Sequence, residues 1–424
     1  MILTKEYLSR FLEESRISRK LMIYKPNTIT KIDKDAFDEF TFLEILVISQ
    51  QNQIKTLEGL EKLTKLKELN ISRNCIEKIE GLDTLINLER LDISHNKIKK
   101  LEGLEKLTEL KYLFISHNKI EKIEGLEKLT WLRTLDLCYN KIEKIEGSKN
   151  FTNLETLDIS VNRIKKLEGL EKSTKLTELS ISVNQIEKLE GLDTLTKLKK
   201  LSIFGNRIKK LEGLEKCTKL IYLSICSNQI EKLEGLDALT KLETLIITNN
   251  NTRNFEGLEY LIKLKKLNIS GNQIEKLEGL DKLTKLQDLN IMGNFVKKIE
   301  GLNELAKLRC LYVNYNFLSQ EEINRARIML SPLNLCDFTY SDQRKRKRTI
   351  KLIDTLTHNL KIDENEKCLV CLEEKDKLYI ADHCCKIVIC EECYVNDNFK
   401  AECIYGCEKK KNAFKRGLYL IRNV

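Results

Sequence analysis

The chain has 424 residues, of which 42% are apolar and 33% are charged, and only 2 are proline. This apolar content excludes a disordered chain, and no stretch approaches the roughly 20 uncharged apolar residues of a membrane-spanning helix. The net charge of +10 arises from lysines and glutamates that alternate along the chain, a pattern typical of a solvated surface of mixed sign rather than of a nucleic-acid-binding face.

Residues 1–28 are predicted to form an N-terminal helical cap, because Tyr7, Leu8, Phe11 and Leu12 recur at the spacing of one helix face. Charges occur every few residues here and no apolar run is present, which is unlike a secretory signal. We therefore expect a protein of a reducing compartment, cytoplasmic or nuclear, whose 14 cysteines do not form a disulfide framework.

Residues 29–318 repeat with a period of 22. Asparagine recurs at this interval from Asn52 to Asn316 and glycine from Gly59 to Gly301. Each unit follows the pattern L-x-x-L-x-I-x-x-N-x-I-x-x-I-x-G-L-x-x-L, whose L-x-I step predicts a short strand with alternate side chains inward. One unit alone cannot bury its apolar face, so the units are predicted to stack.

The asparagine and the glycine that recur from repeat to repeat are predicted to have structural roles. An asparagine such as Asn74 follows each strand, where its amide offers donors and acceptors to the buried backbone of the turn. A glycine such as Gly81 is predicted to permit a tight turn where a side chain would clash or where φ must be positive.

This pattern resembles the leucine-rich repeat, in the 22-residue form found in regulatory subunits of protein phosphatase 1 and in internalins. The resemblance implies an α/β fold, a solenoid of about 13 repeats whose strands line a concave face. Residues 319–340 are predicted to form a C-terminal capping helix, because Ser319 and Glu322 have the spacing of a capping box.

Outward-pointing strand positions vary along the repeats while the template stays fixed, so they are candidate binding positions. Since adjacent strands lie about 4.8 Å apart, one cluster of aromatic and acidic side chains is expected. Its members are Asp92, Tyr112, Phe114, Asp136, Tyr139 and Asp158. Acidic groups around aromatics are typical of a protein-binding hot spot, and the alternative is variation on a solvated surface. The nearby pair His95 and His117 is interpreted as ordinary surface rather than as a metal site.

The phosphatase regulators carry an Asp-Phe-Glu-Phe succession in the column between the two inward strand residues. Asp92, Phe114 and Asp136 resemble its first three members, whereas Asp158 departs where the aromatic should recur. The resemblance implies a phosphatase as one candidate partner.

Residues 341–363 are predicted to form a basic linker and a helix. The run Arg344–Arg348 has the composition of a nuclear import signal or a nucleic-acid contact, and equally of a solvated linker. Ile350, Ile353, Leu356 and Leu360 then lie on one helical stripe.

Residues 364–424 hold eight of the 14 cysteines. The pairs Cys368/Cys371 and Cys390/Cys393 have the C-x-x-C spacing with which a chain grips a tetrahedral Zn²⁺. A segment of about 60 residues with few apolar side chains needs bound metal ions to stabilise its fold. Two ions require eight ligands, which would be completed by Cys385, Cys403, Cys407 and either His383 or Cys384.

This spacing resembles the RING domain, the zinc module of ubiquitin ligases. The resemblance implies that Cys368, Cys371, Cys390 and Cys393 hold one ion, and that His383 or Cys384 with Cys385, Cys403 and Cys407 hold the other. It also implies that Val370 contacts a ubiquitin-conjugating enzyme. The segment departs from the family pattern in the three residues between Cys403 and Cys407 and in lacking a tryptophan after Cys393.

No other catalytic motif is visible in the sequence. The sequence therefore predicts a protein-binding repeat scaffold coupled to a zinc module with two ions, a ubiquitin ligase without a nucleophile of its own, whose repeats select the substrate. The alternative is a non-enzymatic interaction scaffold or a regulatory subunit of the protein phosphatase 1 type. Neither a membrane nor a nucleic acid is an expected partner.

Overall fold

The computed structural model describes residues 1–24, 27–49, 52–145 and 151–329, together with three strands between residues 378 and 421. The chain divides into two compact units, Met1–Phe338 and Thr339–Val424. Within the described ranges, no helix combines the length and the apolar character that crossing a bilayer requires.

The N-terminal segment contains strands as well as helices. Its elements are β1 (Ile2–Leu3), α1 (Lys5–Ser9), α2 (Leu12–Ser18), β2 (Lys20–Met22) and β3 (Lys31–Ile32). The hydroxyl of Thr4 caps α1 by accepting from the Tyr7 N–H at 3.3 Å. Tyr7 and Leu8 are buried, and Phe11 and Leu12 pack against the same core. The short strands β1 and β3 pair in parallel, a pairing that the sequence pattern did not predict.

Thirteen further strands follow at regular intervals, one in each repeat. They are β4 (Ile45–Val47), β5 (Glu68–Asn70), β6 (Arg90–Asp92), β7 (Tyr112–Phe114), β8 (Thr134–Asp136), β9 (Thr156–Asp158), β10 (Glu178–Ser180), β11 (Lys200–Ser202), β12 (Tyr222–Ser224), β13 (Thr244–Ile246), β14 (Lys266–Asn268), β15 (Asp288–Asn290) and β16 (Cys310–Tyr312). With β2 at one edge they form a sheet of 14 described strands in sequence order, and each described pairing is parallel and in register, as in Leu69↔Leu91. The predicted repeat solenoid is confirmed.

The core lies behind this sheet and is built from the template leucines and isoleucines. Leu69, Ile71 and their counterparts in later repeats are 0–3% exposed. In most strands the first and third residues are partly buried or exposed, whereas the second is buried, because successive side chains of a strand point to opposite faces. The template positions therefore face the core, and the variable positions form the outer face of the sheet.

The repeated asparagine binds the turns together. In one repeat, the Asn162 side-chain amide donates to the carbonyls of Leu137, Ile159 and Ser160 at 3.0–3.1 Å. Its carbonyl oxygen accepts from the Ile142 N–H of the preceding repeat at 2.9 Å. The same contacts recur from Asn74 to Asn316, so the predicted asparagine ladder is present and pairs backbone groups that would otherwise be buried without partners.

The repeated glycine is required by both conformation and space. Gly103 has φ of 99°, a left-handed conformation that is unfavourable for other residues. A Cβ atom at this position would lie 1.7 Å from the Ile79 carbonyl oxygen of the preceding repeat. The close approach of successive turns therefore depends on the missing side chain.

Helix α3 (Gln320–Met329) follows the last repeat. The Ser319 hydroxyl accepts from the Glu322 N–H at 3.1 Å, as the capping-box spacing predicts. The Glu322 carboxylate in addition accepts from the Ile299 N–H at 3.0 Å. The first turn of α3 is thereby tied to the preceding repeat, 23 residues away.

Three antiparallel strands are described in the second unit. They are β17 (Leu378–Ala381), β18 (Ile387–Cys390) and β19 (Leu418–Ile421). Strand β17 lies in the middle, paired with β18 and β19. Of the predicted zinc ligands, Cys390 is the last residue of β18, and the others lie outside the described residues, as does Val370.

Candidate protein-binding face

The outer sheet face gathers the predicted aromatic and acidic side chains on four neighbouring strands. Register pairs Asp92 with Phe114, Phe114 with Asp136, and Asp136 with Asp158. Tyr112 shares strand β7 with Phe114, and Tyr139 follows β8. These six residues, Asp92, Tyr112, Phe114, Asp136, Tyr139 and Asp158, are half-buried and are called the aromatic–acidic patch below.

An arginine completes the aromatic part of the patch. The Arg90 guanidinium carbon lies 4.5 Å from the Phe114 ring centroid and 5.6 Å from the Tyr112 ring centroid. The Arg90 Nε atom lies 3.6 Å from a carboxylate oxygen of Glu68 on the neighbouring strand. A guanidinium is weakly hydrated and stacks well on aromatic faces, so this face presents a cation and two rings as one packed unit.

Three stacked rings border the patch where the strands end. The His95 and His117 ring centroids lie 4.0 Å apart, and those of His117 and Tyr139 lie 4.1 Å apart, with the planes within 11° of parallel. All three residues have positive φ, near 54°. In other repeats the same position is glycine, as at Gly205 and Gly271. The rings therefore form a continuous stack at a backbone position that favours glycine.

The acidic part of the patch is held by backbone donors of its own repeats. Asp136 accepts from the Cys138 N–H at 3.0 Å, and Asp158 accepts from the Ser160 N–H at 2.8 Å. Asp92 accepts from the Ser94 N–H at 3.1 Å and from the Asn70 side-chain amide at 3.1 Å. The carboxylates are thus oriented by short loops that leave the strands.

Burial, together with the charge of a neighbouring carboxylate, raises the pKa values of Asp136 and Asp158. Burial and the nearby Asp136 charge raise the pKa of Asp158 to about 6, and burial also raises the pKa of Asp136. The pKa of the Cys138 thiol is raised as well, by burial and by the two carboxylates, which leaves the thiol protonated and unreactive at neutral pH. Donor atoms of Asp136, Cys138 and Asp158 lie within 4.8 Å of one another.

The sequence pattern located most of this arrangement and missed two members. Arg90 lies on β6, the strand that also carries Asp92, and only its side-chain conformation shows that it covers Phe114. Cys138 lies two residues after Asp136, and the repeat pattern alone gives no reason to group its thiol with the two carboxylates.

Comparison with protein families gives the architecture its name. The family described as "Leucine Rich repeats (2 copies)" matches residues 27–84, 86–128, 130–172, 152–194, 174–216, 196–238 and 262–304. These segments span more than half of the chain. The chain belongs to the leucine-rich repeat family.

Solved leucine-rich repeat structures resemble this chain over most of the solenoid. An internalin of Listeria monocytogenes, InlF, is 30% identical, with a TM-score of 0.62, covering 67% of this chain and 84% of its own. The functional domain of InlJ from the same organism is 26% identical, with a TM-score of 0.59, covering 68% of this chain and 62% of its own. A leucine-rich repeat protein of Leptospira interrogans is 23% identical, with a TM-score of 0.66, covering 73% of this chain and 84% of its own, and shows the shared fold. No curated protein matches the chain.

Membership of this family indicates the kind of function that the fold supports. A leucine-rich repeat solenoid is a scaffold suited to protein binding, because it presents a long row of variable side chains on a rigid sheet. The outer sheet face described above is this row.

Proposed function

We propose that this leucine-rich repeat scaffold binds a protein partner on its outer sheet face, through the aromatic–acidic patch. The packed unit of Arg90, Tyr112 and Phe114 carries the proposal. Tyrosine and arginine are enriched at hot spots, which are packed pockets or platforms ringed by less critical contacts. The carboxylates of Asp92 and Asp136 flank Phe114 on the two neighbouring strands and supply polar contacts that fix the orientation of the partner.

The test is the affinity of a partner for variants of the full chain. A partner captured from cells and then purified should bind Phe114→Ala about 30-fold more weakly, a loss of about 2 kcal/mol. Circular dichroism should be unchanged, because Phe114 points away from the core. The matched control is Tyr260→Ala, since this aromatic side chain is 51% exposed and lies outside the patch. Equal affinity of Phe114→Ala and wild type would refute the proposed site.

We further propose that residues 364–424 form a RING-like module with two zinc ions and that the repeats select a substrate for ubiquitin transfer. The support is the spacing of the cysteines in the sequence. In the proposed assignment Cys368, Cys371, Cys390 and Cys393 hold one ion. The second is held by Cys385, Cys403, Cys407 and either His383 or Cys384. Such a module supplies no nucleophile and acts by positioning a charged conjugating enzyme.

Metal analysis and ubiquitin transfer test this module separately. The full chain should contain two zinc ions, and Cys390→Ala should lose at least one of them, because it lacks a ligand. Val370→Asp should keep both ions yet lose autoubiquitylation, because a charge would be buried against the conjugating enzyme. A chain without zinc would refute the module. Two zinc ions without binding of any conjugating enzyme would leave a structural module and refute the ligase.

A regulatory subunit of the protein phosphatase 1 type is the alternative function. The observation that favours it is the in-register succession Asp92, Phe114, Asp136 on strands β6–β8. Purified phosphatase 1 catalytic subunit should then bind the full chain and lose binding to Phe114→Ala. For either function the proposed location is cytoplasmic or nuclear, in a compartment where the thiols stay reduced.

A further inference from the structure

Two adjacent aspartates are the unusual feature of the outer sheet face. Asp136 and Asp158 are register partners on β8 and β9. The same column carries no acid in the later repeats, where its residues are Ser180, Ser202, Ser224, Ile246, Asn268, Asn290 and Tyr312. Asp92 is the other acid of this column, but it pairs with Asn70 and Phe114, so Asp136 and Asp158 are the pair of acidic register neighbours in the described column.

No described lysine or arginine forms an ion pair with either aspartate. Elsewhere on the face, acids have such partners: Arg90 lies 3.6 Å from Glu68, and Lys200 lies 2.7 Å from Glu178. Asp136 and Asp158 instead accept from the backbone N–H groups of Cys138 and Ser160. The negative charge of the pair is thus not compensated by a basic side chain in the described part of the chain.

The hydrogen bonds of these residues do not require a charge. At the same column Asn70 accepts from the Ser72 N–H at 3.1 Å, and Asn268 accepts from the Ser270 N–H at 3.2 Å. An asparagine would therefore keep the loop geometry without the buried charge and the repulsion from Asp136 that raise the pKa of Asp158. Features that lower stability without a structural need are expected at binding sites.

The surroundings already accommodate one guanidinium. Arg90 rests on Phe114 at 4.5 Å, and Phe114 is the register partner of Asp136 on the other side. Tyr139 closes the end of the strand beside Asp136. A second cation placed at the two carboxylates would lie one strand away from Phe114 and beside two acceptors, and paired carboxylates near an aromatic side chain are a combination that favours arginine.

We propose that Asp136 and Asp158 receive an arginine side chain of the protein partner, so that the partner presents a basic segment to this half of the outer sheet face. This inference rests on the proposed function and specifies the chemistry of its partner. It requires complementary charge across the interface, which also makes the association sensitive to salt.

The experiment uses a displayed library of random dodecapeptides as the probe. The library is panned on the full-length wild-type chain, with counter-selection on the double variant Asp136→Asn/Asp158→Asn. Enriched peptides should carry arginine, or lysine less often, at one fixed position. Synthetic copies should bind the double variant at least tenfold more weakly than wild type, and replacing that arginine by citrulline should cause a similar loss.

The matched control removes the same charge elsewhere. Asp193→Asn/Asp237→Asn changes two exposed aspartates in the turns that follow the repeat glycines, and it should bind the basic peptides as wild type does. Basic peptides that bind Asp136→Asn/Asp158→Asn without loss would overturn the inference, as would enrichment of neutral or acidic peptides only or the absence of any peptide that depends on the two carboxylates.

Two further outcomes distinguish an error in the arginine site from an error in the whole aromatic–acidic patch. If Phe114→Ala loses peptide binding while Asp136→Asn/Asp158→Asn does not, the patch binds protein but the cation site is wrong. If neither variant loses binding, the proposed patch itself is wrong. Binding that requires added Zn²⁺ and is abolished by EDTA would show that Asp136, Cys138 and Asp158 hold a metal ion, and would overturn the direct contact with arginine.

Discussion

Asp136 and Asp158 face each other across neighbouring parallel strands, each bonded to the backbone N–H two residues further along its own repeat. Each carboxylate is well oriented for its hydrogen bond, but the two negative charges repel each other. Like charges directly opposite one another destabilise a sheet, so this pair should lower the stability of the solenoid when both groups are ionised.

The first prediction is a stability profile that falls between about pH 4 and pH 6. Because the native pKa of Asp158 is raised to about 6, the native chain holds a proton there that the unfolded chain releases near its ordinary pKa of about 4. The free energy of unfolding therefore decreases as pH rises through this window, by roughly 1–3 kcal/mol. Asp158→Asn should remove this decrease and be more stable at pH 7.5.

The measurement is urea unfolding of wild type and Asp158→Asn at a series of pH values in EDTA, because the difference between the two curves cancels the titrating groups that do not interact with Asp158. Glu44, whose pKa is lowered by Lys67 and Arg19, acts in the opposite direction in both proteins. A difference that is constant from pH 4 to pH 8 would contradict the prediction.

The asparagine ladder gives a second prediction, because each asparagine joins its own repeat to the preceding one. Asn162→Leu removes three donated bonds and one accepted bond, and it leaves buried backbone groups without partners. The expected loss in the free energy of unfolding is about 3 kcal/mol or more. The control is Asn87→Leu, since Asn87 is exposed and donates one bond, to the Thr64 carbonyl at 2.8 Å. Similar losses in both variants would show that the ladder is not the cause.

The period of 22 residues predicted the solenoid because each repeat can bury its apolar face only against the repeats before and after it. Leu69 and Ile71 could be assigned to the core without coordinates, since a strand alternates its faces and each unit needs a neighbour. Register then followed from the period, which is why Asp92, Phe114 and Asp136 could be placed on adjacent strands. The residues of the patch were grouped by this argument alone.

Contacts that depend on side-chain conformation or on non-repeating segments could not be predicted. Arg90 has the length to reach several neighbours, and its placement over Phe114 depends on the rotamer rather than on the period. The pairing of β1 with β3 involves two residues from each strand, too few for a pattern. The bond from the Ile299 N–H to Glu322 joins the last repeats to the cap, where the period has ended.

The third prediction concerns Ser173, which occupies a core position that other repeats fill with larger apolar residues, such as Phe151 and Leu195. Ser173 is 0% exposed, and its hydroxyl has no hydrogen-bond partner in the described part of the chain. Ser173→Ala should therefore raise the free energy of unfolding by about 1 kcal/mol, as measured by urea unfolding. Ser72→Ala should lower it, because the Ser72 hydroxyl donates to Asn70 at 2.8 Å. A loss of stability in Ser173→Ala would reveal a hydroxyl partner, such as a buried water.

The final prediction concerns the C-terminal end of the solenoid, where Glu322 ties α3 to the last repeats. Glu322→Ala removes the acceptor of the Ile299 N–H, which should speed hydrogen exchange of that amide by about tenfold, since a bond to a charged group contributes about 1.5 kcal/mol or more. Glu321→Ala is the matched control, because Glu321 is exposed and lies in the same helical turn. Glu322→Gln should rescue most of the protection, because a neutral amide oxygen still accepts the bond. Unchanged exchange at Ile299 in Glu322→Ala, or equal acceleration in Glu321→Ala, would show that the helix caps the repeats by packing alone.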